Sequence, residues 1–220
     1  MCTTSMETGE TVWFTSYRSP RSGGDLSSIV KIWEAARATS LAPTFSDPIT
    51  IGCSQERFIS GYIGANDPVY KLWHETQDIW PLGWLEDKVK CLISIGTEVP
   101  LPESCNDDLA GYHNFVLGIV TQTEKIAEKF YRDKAGLCNK GCYYRFEVPN
   151  ELKIIGLEEL EQKGAIIAAT DRYIGSQDVS RQMRACASNL AKKPCTSDLF
   201  GLTPIWTGRL ASLRRCLCIN

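Results

Sequence analysis

A nearly continuous apolar run at residues 89–96 is the feature that most constrains the fold of this chain. Its sequence, Val-Lys-Cys-Leu-Ile-Ser-Ile-Gly, is typical of a strand that is covered on both faces of a parallel sheet. Helical spacing of apolar residues occurs at residues 69–79 and 109–131, and another strand pattern occurs at 143–148. Strands that alternate with helices predict βαβ units. The sequence therefore predicts an α/β fold, a three-layer arrangement with a mostly parallel sheet flanked by helices.

Composition favours one soluble domain without a nucleic-acid partner. The chain has 220 residues, of which 43% are hydrophobic, and this is enough for one sizeable core. Its 24 Lys and Arg residues are balanced by 26 Asp and Glu residues, which argues against a nucleic-acid interface. No window is long and apolar enough for a membrane span, and no secretory signal is evident. We therefore expect a cytoplasmic protein. The basic, cysteine-containing residues 214–218 leave peripheral membrane attachment as an alternative.

The ten cysteines are scattered along the chain. Without a secretory signal, free thiols are expected rather than disulfides. Cys138 and Cys142 are close in sequence, but the two histidines, His74 and His113, lie far from them. We therefore expect a turn at this cysteine pair, with no metal site and no cofactor.

Several landmark segments carry a resemblance to a known family. They are residues 14–17 (Phe-Thr-Ser-Tyr), 32–40 (Ile-Trp-Glu-Ala-Ala-Arg-Ala-Thr-Ser), 42–45 (Ala-Pro-Thr-Phe), 64–69 (Gly-Ala-Asn-Asp-Pro-Val), 91–97 (Cys-Leu-Ile-Ser-Ile-Gly-Thr), 144–148 (Tyr-Arg-Phe-Glu-Val) and 155–157 (Ile-Gly-Leu). In order and spacing, these segments resemble the C-terminal portion of the patatin-like phospholipases, in particular those of fungal proteins. The resemblance extends over residues 12–193. Residues 1–11 are then expected to form an N-terminal extension, and residues 194–220 a tail.

The resemblance implies a serine acyl hydrolase of lipids that uses a Ser-Asp dyad. Its nucleophile belongs in a Gly-x-Ser-x-Gly turn, and a glycine-rich loop supplies the oxyanion hole. Neither Gly-x-Ser-x-Gly nor Gly-x-Gly-x-x-Gly occurs in this sequence. The expectation is a partial domain without the half that bears the nucleophile, and hence a catalytically incompetent form.

The family aspartate is also missing at the position where the resemblance places it. That position is held by Ser60, in the segment Ser60-Gly61-Tyr62, and a serine hydroxyl has too high a pKa to act as a base near neutrality. Asp67 is an alternative base, although its place before Pro68 favours a helix cap. Tyr62 and Glu98 also depart from the family pattern, and each is expected to obstruct or recharge the cleft.

Two functional hypotheses remain open at this point. In the first, the chain is a patatin-like family member whose substrate would be a lipid or acyl ester if a missing half completed it. In the second, it is a non-enzymatic interaction module that binds a protein partner or a second copy of itself. An unpaired strand edge and uncovered apolar surface would favour such self-association.

Overall fold

The computed structural model describes residues 1–17, 19, 26–40, 47–80, 85–96, 123–148 and 163–192. The described strands are β1 (Cys2–Ser5), β2 (Thr11–Trp13), β3 (Ile49–Ile51), β4 (Glu56–Ser60), β5 (Leu92–Ile95) and β6 (Tyr143–Phe146). The described helices are α1 (Leu26–Ile29), α2 (Ile32–Ser40), α3 (Tyr62–Ala65), α4 (Val69–Ile79), α5 (Leu85–Lys88), α6 (Thr123–Asp133), α7 (Ala135–Asn139), α8 (Lys163–Gly175) and α9 (Gln177–Ala191). These elements confirm the predicted α/β class.

The chain divides into two compact units. Unit 1 consists of residues 1–81 and 104–123, and unit 2 of residues 82–103 and 124–220. The long apolar stretch predicted at 109–131 is described only from residue 123 onward, as α6. The tail at 194–220 lies outside the described residues.

Unit 1 contains a four-stranded sheet with the order β2-β1-β4-β3, and every neighbouring pair is antiparallel. This differs from the predicted mostly parallel arrangement. For the β1–β2 and β3–β4 pairs the physical reason is the length of the connection, because a short turn can join only antiparallel neighbours. Residues 52–55 link β3 to β4, and both Gly52 and Gln55 have positive φ there, at 78° and 56°.

The core of unit 1 lies between this sheet and α2. The buried residues are Phe14, Ala35, Ala38, Ile49, Ile51 and Phe58. The Phe14 and Phe58 rings meet edge to face, with centroids 5.4 Å apart. Such an arrangement places the positive ring edge on the negative ring face, which adds to the burial of both rings.

The buried face of α2 differs from the face that the sequence predicts. In the sequence, the helical spacing of Ile29, Ile32, Trp33 and Ala36 predicts one inward face. In the structure, Ile32 is 84% exposed and Trp33 is 56% exposed. The helix is interrupted at residues 30 and 31, and α2 begins anew, with the Lys31 N–H donating to the Glu34 carboxylate at 2.8 Å. The interruption changes the helical phase, so that alanines rather than the large side chains face the sheet.

Unit 2 contains the parallel pair that the apolar run predicted. β5 and β6 lie side by side in register, with Leu92 opposite Tyr143 and Ile95 opposite Phe146. The predicted cover on both faces fails at the carboxyl end, where Ile95 is 78% exposed. The buried cluster at this sheet consists of Cys91, Tyr144 and Cys186, which joins the sheet to α9.

Candidate functional site

The Ser60 hydroxyl lies at the end of β4, where it donates one hydrogen bond and accepts another. Its Oγ donates to the Thr39 carbonyl at 3.1 Å and accepts the Tyr62 N–H at 3.1 Å. The residue is buried. Because the proton points to a backbone carbonyl, the hydroxyl fastens the turn between β4 and α3 and ties it to α2.

Three threonines extend this hydroxyl network through unit 1. Thr3 Oγ1 donates to the Ile59 carbonyl at 2.6 Å, with the Ala38 carbonyl 3.2 Å away as a second acceptor. Thr4 Oγ1 donates to the Ser60 carbonyl at 3.0 Å, and Thr39 Oγ1 donates to the Cys2 carbonyl at 2.6 Å. The network connects β1, β4 and α2 around Ser60. It satisfies buried backbone carbonyls, which is a structural role.

Gly61 keeps this turn in close contact with β1. A Cβ at this position would lie 2.6 Å from the Cys2 carbonyl oxygen. Real Cβ atoms do not approach backbone that closely, so a side chain at Gly61 would push β1 away. The turn is therefore packed closely against β1.

Cys2 is the thiol beside this turn. Burial raises the pKa of Cys2, the N-terminal ammonium and Lys71 oppose that rise, and Glu75 adds to it. A raised pKa lowers the thiolate fraction near neutrality, and the thiolate is the nucleophilic form. Cys2 is therefore poorly suited to act as a nucleophile.

Glu75 is a buried carboxylate on α4 that the sequence reasoning did not select. It is 4% exposed, and within the described residues neither carboxylate oxygen has a hydrogen-bond partner. Val69, Trp73 and Thr76 are buried on the same helix, so the buried face is wide enough to include residue 75. The spacing of those three residues was the only sequence signal for its burial.

Unit 2 contains a separate cleft between α6 and β6. Its volume is about 340 Å³, and its lining residues are Ala127, Glu128, Tyr131, Arg132, Tyr143 and Arg145. The guanidinium of Arg145 is already engaged, because it donates to Ser94 Oγ at 2.7 Å and to Glu147 Oε2 at 3.1 and 3.0 Å. Arg145 therefore cross-links the carboxyl ends of β5 and β6 through Ser94, and its ion pair with Glu147 largely neutralises its charge.

Comparison with known proteins gives a loose relation to phospholipases. The chain is 36% identical over 67 residues to Phospholipase A I of Arabidopsis thaliana, a match that covers 30% of this chain and 5% of that protein. No family model matches the chain. No solved structure matches it either. The partial match supports a loose relation to phospholipases.

Some of the remaining candidate site residues have structural roles, and others lie outside the described residues. Asp67 was predicted as the N-cap of a helix with Pro68 at the first helical position, whereas the N-cap of α4 is Pro68. Asp67 lies one residue earlier, and its Oδ1 accepts the N–H of Val69, the first residue of α4, at 3.1 Å. His74 lies on the exposed side of α4. Glu98 and His113 lie outside the described residues.

Within the described ranges, no cluster of three His, Cys, Asp or Glu side chains is placed to hold a metal ion. Cys138 and Cys142 flank the turn at Gly141, which has a φ of 65°.

The helices of the described chain also bear on the membrane question. Among them, none combines the length and apolarity that a bilayer span requires.

Proposed function

We propose that this chain is a patatin-like phospholipase module that does not itself cleave esters. The phospholipase relation and the landmark segments support the family assignment. One observation carries the proposed lack of activity. Ser60 stands at the position of the family aspartate, and its hydroxyl is committed to Thr39 and Tyr62. A serine hydrolase needs a base at that point to take the proton of its nucleophile.

The neighbouring groups do not replace that base. Asp67 accepts a hydrogen bond from the start of α4, and the carbonyl of Ser60 accepts one from Thr4. Loss of a single member of a serine-hydrolase catalytic unit lowers turnover by about 10⁴ to 10⁶-fold. Within the described part of the chain, both carboxylate oxygens of Glu75 are buried without a hydrogen-bond partner, so Glu75→Gln serves as a control for this proposal.

Ester hydrolysis tests the proposal directly. The purified chain is incubated with a short-chain chromogenic acyl ester and, separately, with vesicles of phosphatidylcholine. We expect the same rate as the buffer blank in both assays. Turnover that disappears on Ser60→Ala, or on Glu75→Gln with the fold retained, would contradict the proposal.

A second candidate function, a protein interaction module, is favoured by the surface of α2. Ile32 and Trp33 are exposed on adjacent positions of this helix, and large exposed apolar side chains mark interaction surfaces when they are contiguous. We propose that this surface binds a protein partner or a second copy of the chain. Sedimentation of the wild type and of Ile32→Lys over a range of concentrations tests self-association. Identical concentration-independent monomers would leave self-association without support.

We also propose a cellular location for the module. We place it in the cytoplasm, where it has access to membrane surfaces without crossing the bilayer. Fractionation of cells that express the tagged chain tests this, and recovery in a secreted fraction would contradict it.

A further inference from the structure

Two buried thiols meet in unit 2 without forming a bond. Cys91, directly before β5, and Cys186, on α9, have their Sγ atoms 3.7 Å apart. Their exposed fractions are 1% and 5%. They are separated by 95 positions in the chain, so their proximity is a product of the tertiary fold. Buried free thiols commonly pack as small apolar side chains. Here the two sulfur atoms lie close to each other, and this short distance is the observation on which the proposal depends.

We propose that Cys91 and Cys186 are a redox modification site, at which hydrogen peroxide produces a reversible disulfide between β5 and α9. A disulfide has a sulfur–sulfur distance of about 2.05 Å. The two sulfurs therefore need to approach by less than the width of one atom, which side-chain rotation and a small shift of α9 can supply. Cys91, Tyr144 and Cys186 already form one buried cluster, so the bond would join groups that are in contact.

The position of the pair also indicates the consequence of the bond. Asn189, one turn after Cys186 on α9, donates to the Tyr144 hydroxyl at 2.8 Å and to the Gly141 carbonyl at 2.7 Å. The noncovalent attachment of α9 to β6 thus lies beside the thiols. A covalent bond there would fasten the helix to both parallel strands and would raise the stability of unit 2.

The oxidation balances with peroxide as the only added reagent. The sulfur of the Cys186 thiol attacks one peroxide oxygen, the O–O bond breaks, and the departing hydroxide takes the proton that this thiol gives up, which forms water. The resulting sulfenic acid is then attacked by the Cys91 sulfur. The S–S bond forms, the S–O bond breaks, and the hydroxide takes the Cys91 proton to form a second water. Two electrons pass from the two sulfurs to the peroxide.

We assign the order of the two steps from the elements that hold the thiols. Both thiols are buried, but Cys186 lies on α9, and local opening of that helix would admit peroxide to its sulfur. Peroxide is small enough to reach a buried thiol during such opening, whereas a bulky disulfide reagent is not. Cys186 is therefore assigned as the sulfur that reacts first, and Cys91 as the one that resolves the sulfenic acid.

Peptide mapping of the peroxide-treated full chain tests the site. Trypsin places Cys91 in the peptide 91–125, together with Cys105, and places Cys186 in the peptide 185–192. The test uses a Cys105→Ser background, so that a link between these peptides reports Cys91 alone. Cys53, which is exposed, serves as the internal reference for complete reaction. We expect the linked peptide with a mass loss of two hydrogen atoms, and its disappearance after reduction with dithiothreitol.

Two single variants assign the roles of the thiols. Cys91→Ser is expected to leave a sulfenic acid at Cys186 that dimedone traps, whereas Cys186→Ser is expected to leave Cys91 unlabelled. In the Cys105→Ser protein, oxidation should raise the melting temperature of unit 2 by roughly 5 to 10 °C, because the bond closes a long loop. Complete oxidation of Cys53 without any link between the two peptides would overturn the proposal. A link from Cys91 to any other cysteine instead of Cys186 would also overturn it.

Discussion

Buried polar side chains in unit 1 act in opposite ways at the scale of single residues. Ser60 is buried, and its hydroxyl makes two hydrogen bonds. Glu75 is also buried, but within the described residues neither of its carboxylate oxygens has a hydrogen-bond partner. A buried polar group stabilises a fold when it has partners and destabilises it when it has none. Substitution of each residue should therefore shift stability in a different direction.

Ser60→Ala removes both hydrogen bonds of the hydroxyl. The Thr39 carbonyl and the Tyr62 N–H, both on half-buried residues, would lose this partner, so we expect unit 1 to lose about 1 to 3 kcal/mol of unfolding free energy. Urea denaturation measures the loss. Ser40→Ala is the control, because Ser40 is exposed on α2 and should change stability by less than about 0.5 kcal/mol. Equal effects of the two substitutions would contradict the role assigned to Ser60.

Glu75→Gln keeps the shape of the side chain and removes its charge. Because burial of a charge without a partner is costly, we expect the neutral variant to be more stable by about 1 to 3 kcal/mol. Glu10→Gln, at an exposed position of the same unit, is the control and should be nearly neutral. A less stable Glu75→Gln variant would show that the carboxylate has a stabilising partner.

The Cys2 thiol is expected to make the stability of the folded chain depend on pH. Burial raises the pKa of this thiol in the folded chain, against the N-terminal ammonium and Lys71. The neutral thiol is thus favoured, so its contribution to stability is present below the ordinary thiol pKa and is lost as pH rises through the folded value. We expect alkylation of Cys2 by iodoacetamide to reach half its maximal rate at higher pH in the folded chain than in urea. A midpoint at lower pH in the folded chain would contradict the assigned direction.

At the scale of elements, the contact between β1 and the turn after β4 depends on a glycine. Gly61→Ala would place a Cβ 2.6 Å from the Cys2 carbonyl oxygen, and we expect a loss of about 1 to 3 kcal/mol as the strand moves away. Gly164→Ala is the matched control, because nothing lies within 4 Å of a Cβ there. In α8 that substitution should be neutral or slightly stabilising. Thermal unfolding of both variants measures the difference.

The elements also show what the sequence could and could not predict. The strand at residues 49–51 and the turn at Ser60 were predictable, because local spacing and turn residues determine them. β1 was not, since Cys-Thr-Thr-Ser lacks large apolar side chains, and the hydroxyls of Thr3 and Thr4 donate to carbonyls that are distant in sequence. Glu75 was missed for a related reason, because a carboxylate is normally assigned to the solvated face of a helix.

At the scale of the whole molecule, both units have a defined sheet, but neither sheet is the long parallel one that the apolar run suggested. Unit 1 is built from antiparallel neighbours, and the parallel pair is confined to unit 2. The resemblance to patatin-like phospholipases therefore rests on the landmark segments and on the phospholipase relation. It does not rest on the sheet order.

Fluorophosphonate labelling tests the central claim, that no residue of this chain acts as an activated serine nucleophile. The folded chain is incubated with excess probe, and its intact mass is compared with that of a heat-denatured sample and of Ser60→Ala. The account predicts an unchanged mass in all three samples. A single stoichiometric adduct on the folded chain alone, removed by replacing one serine with alanine, would contradict it.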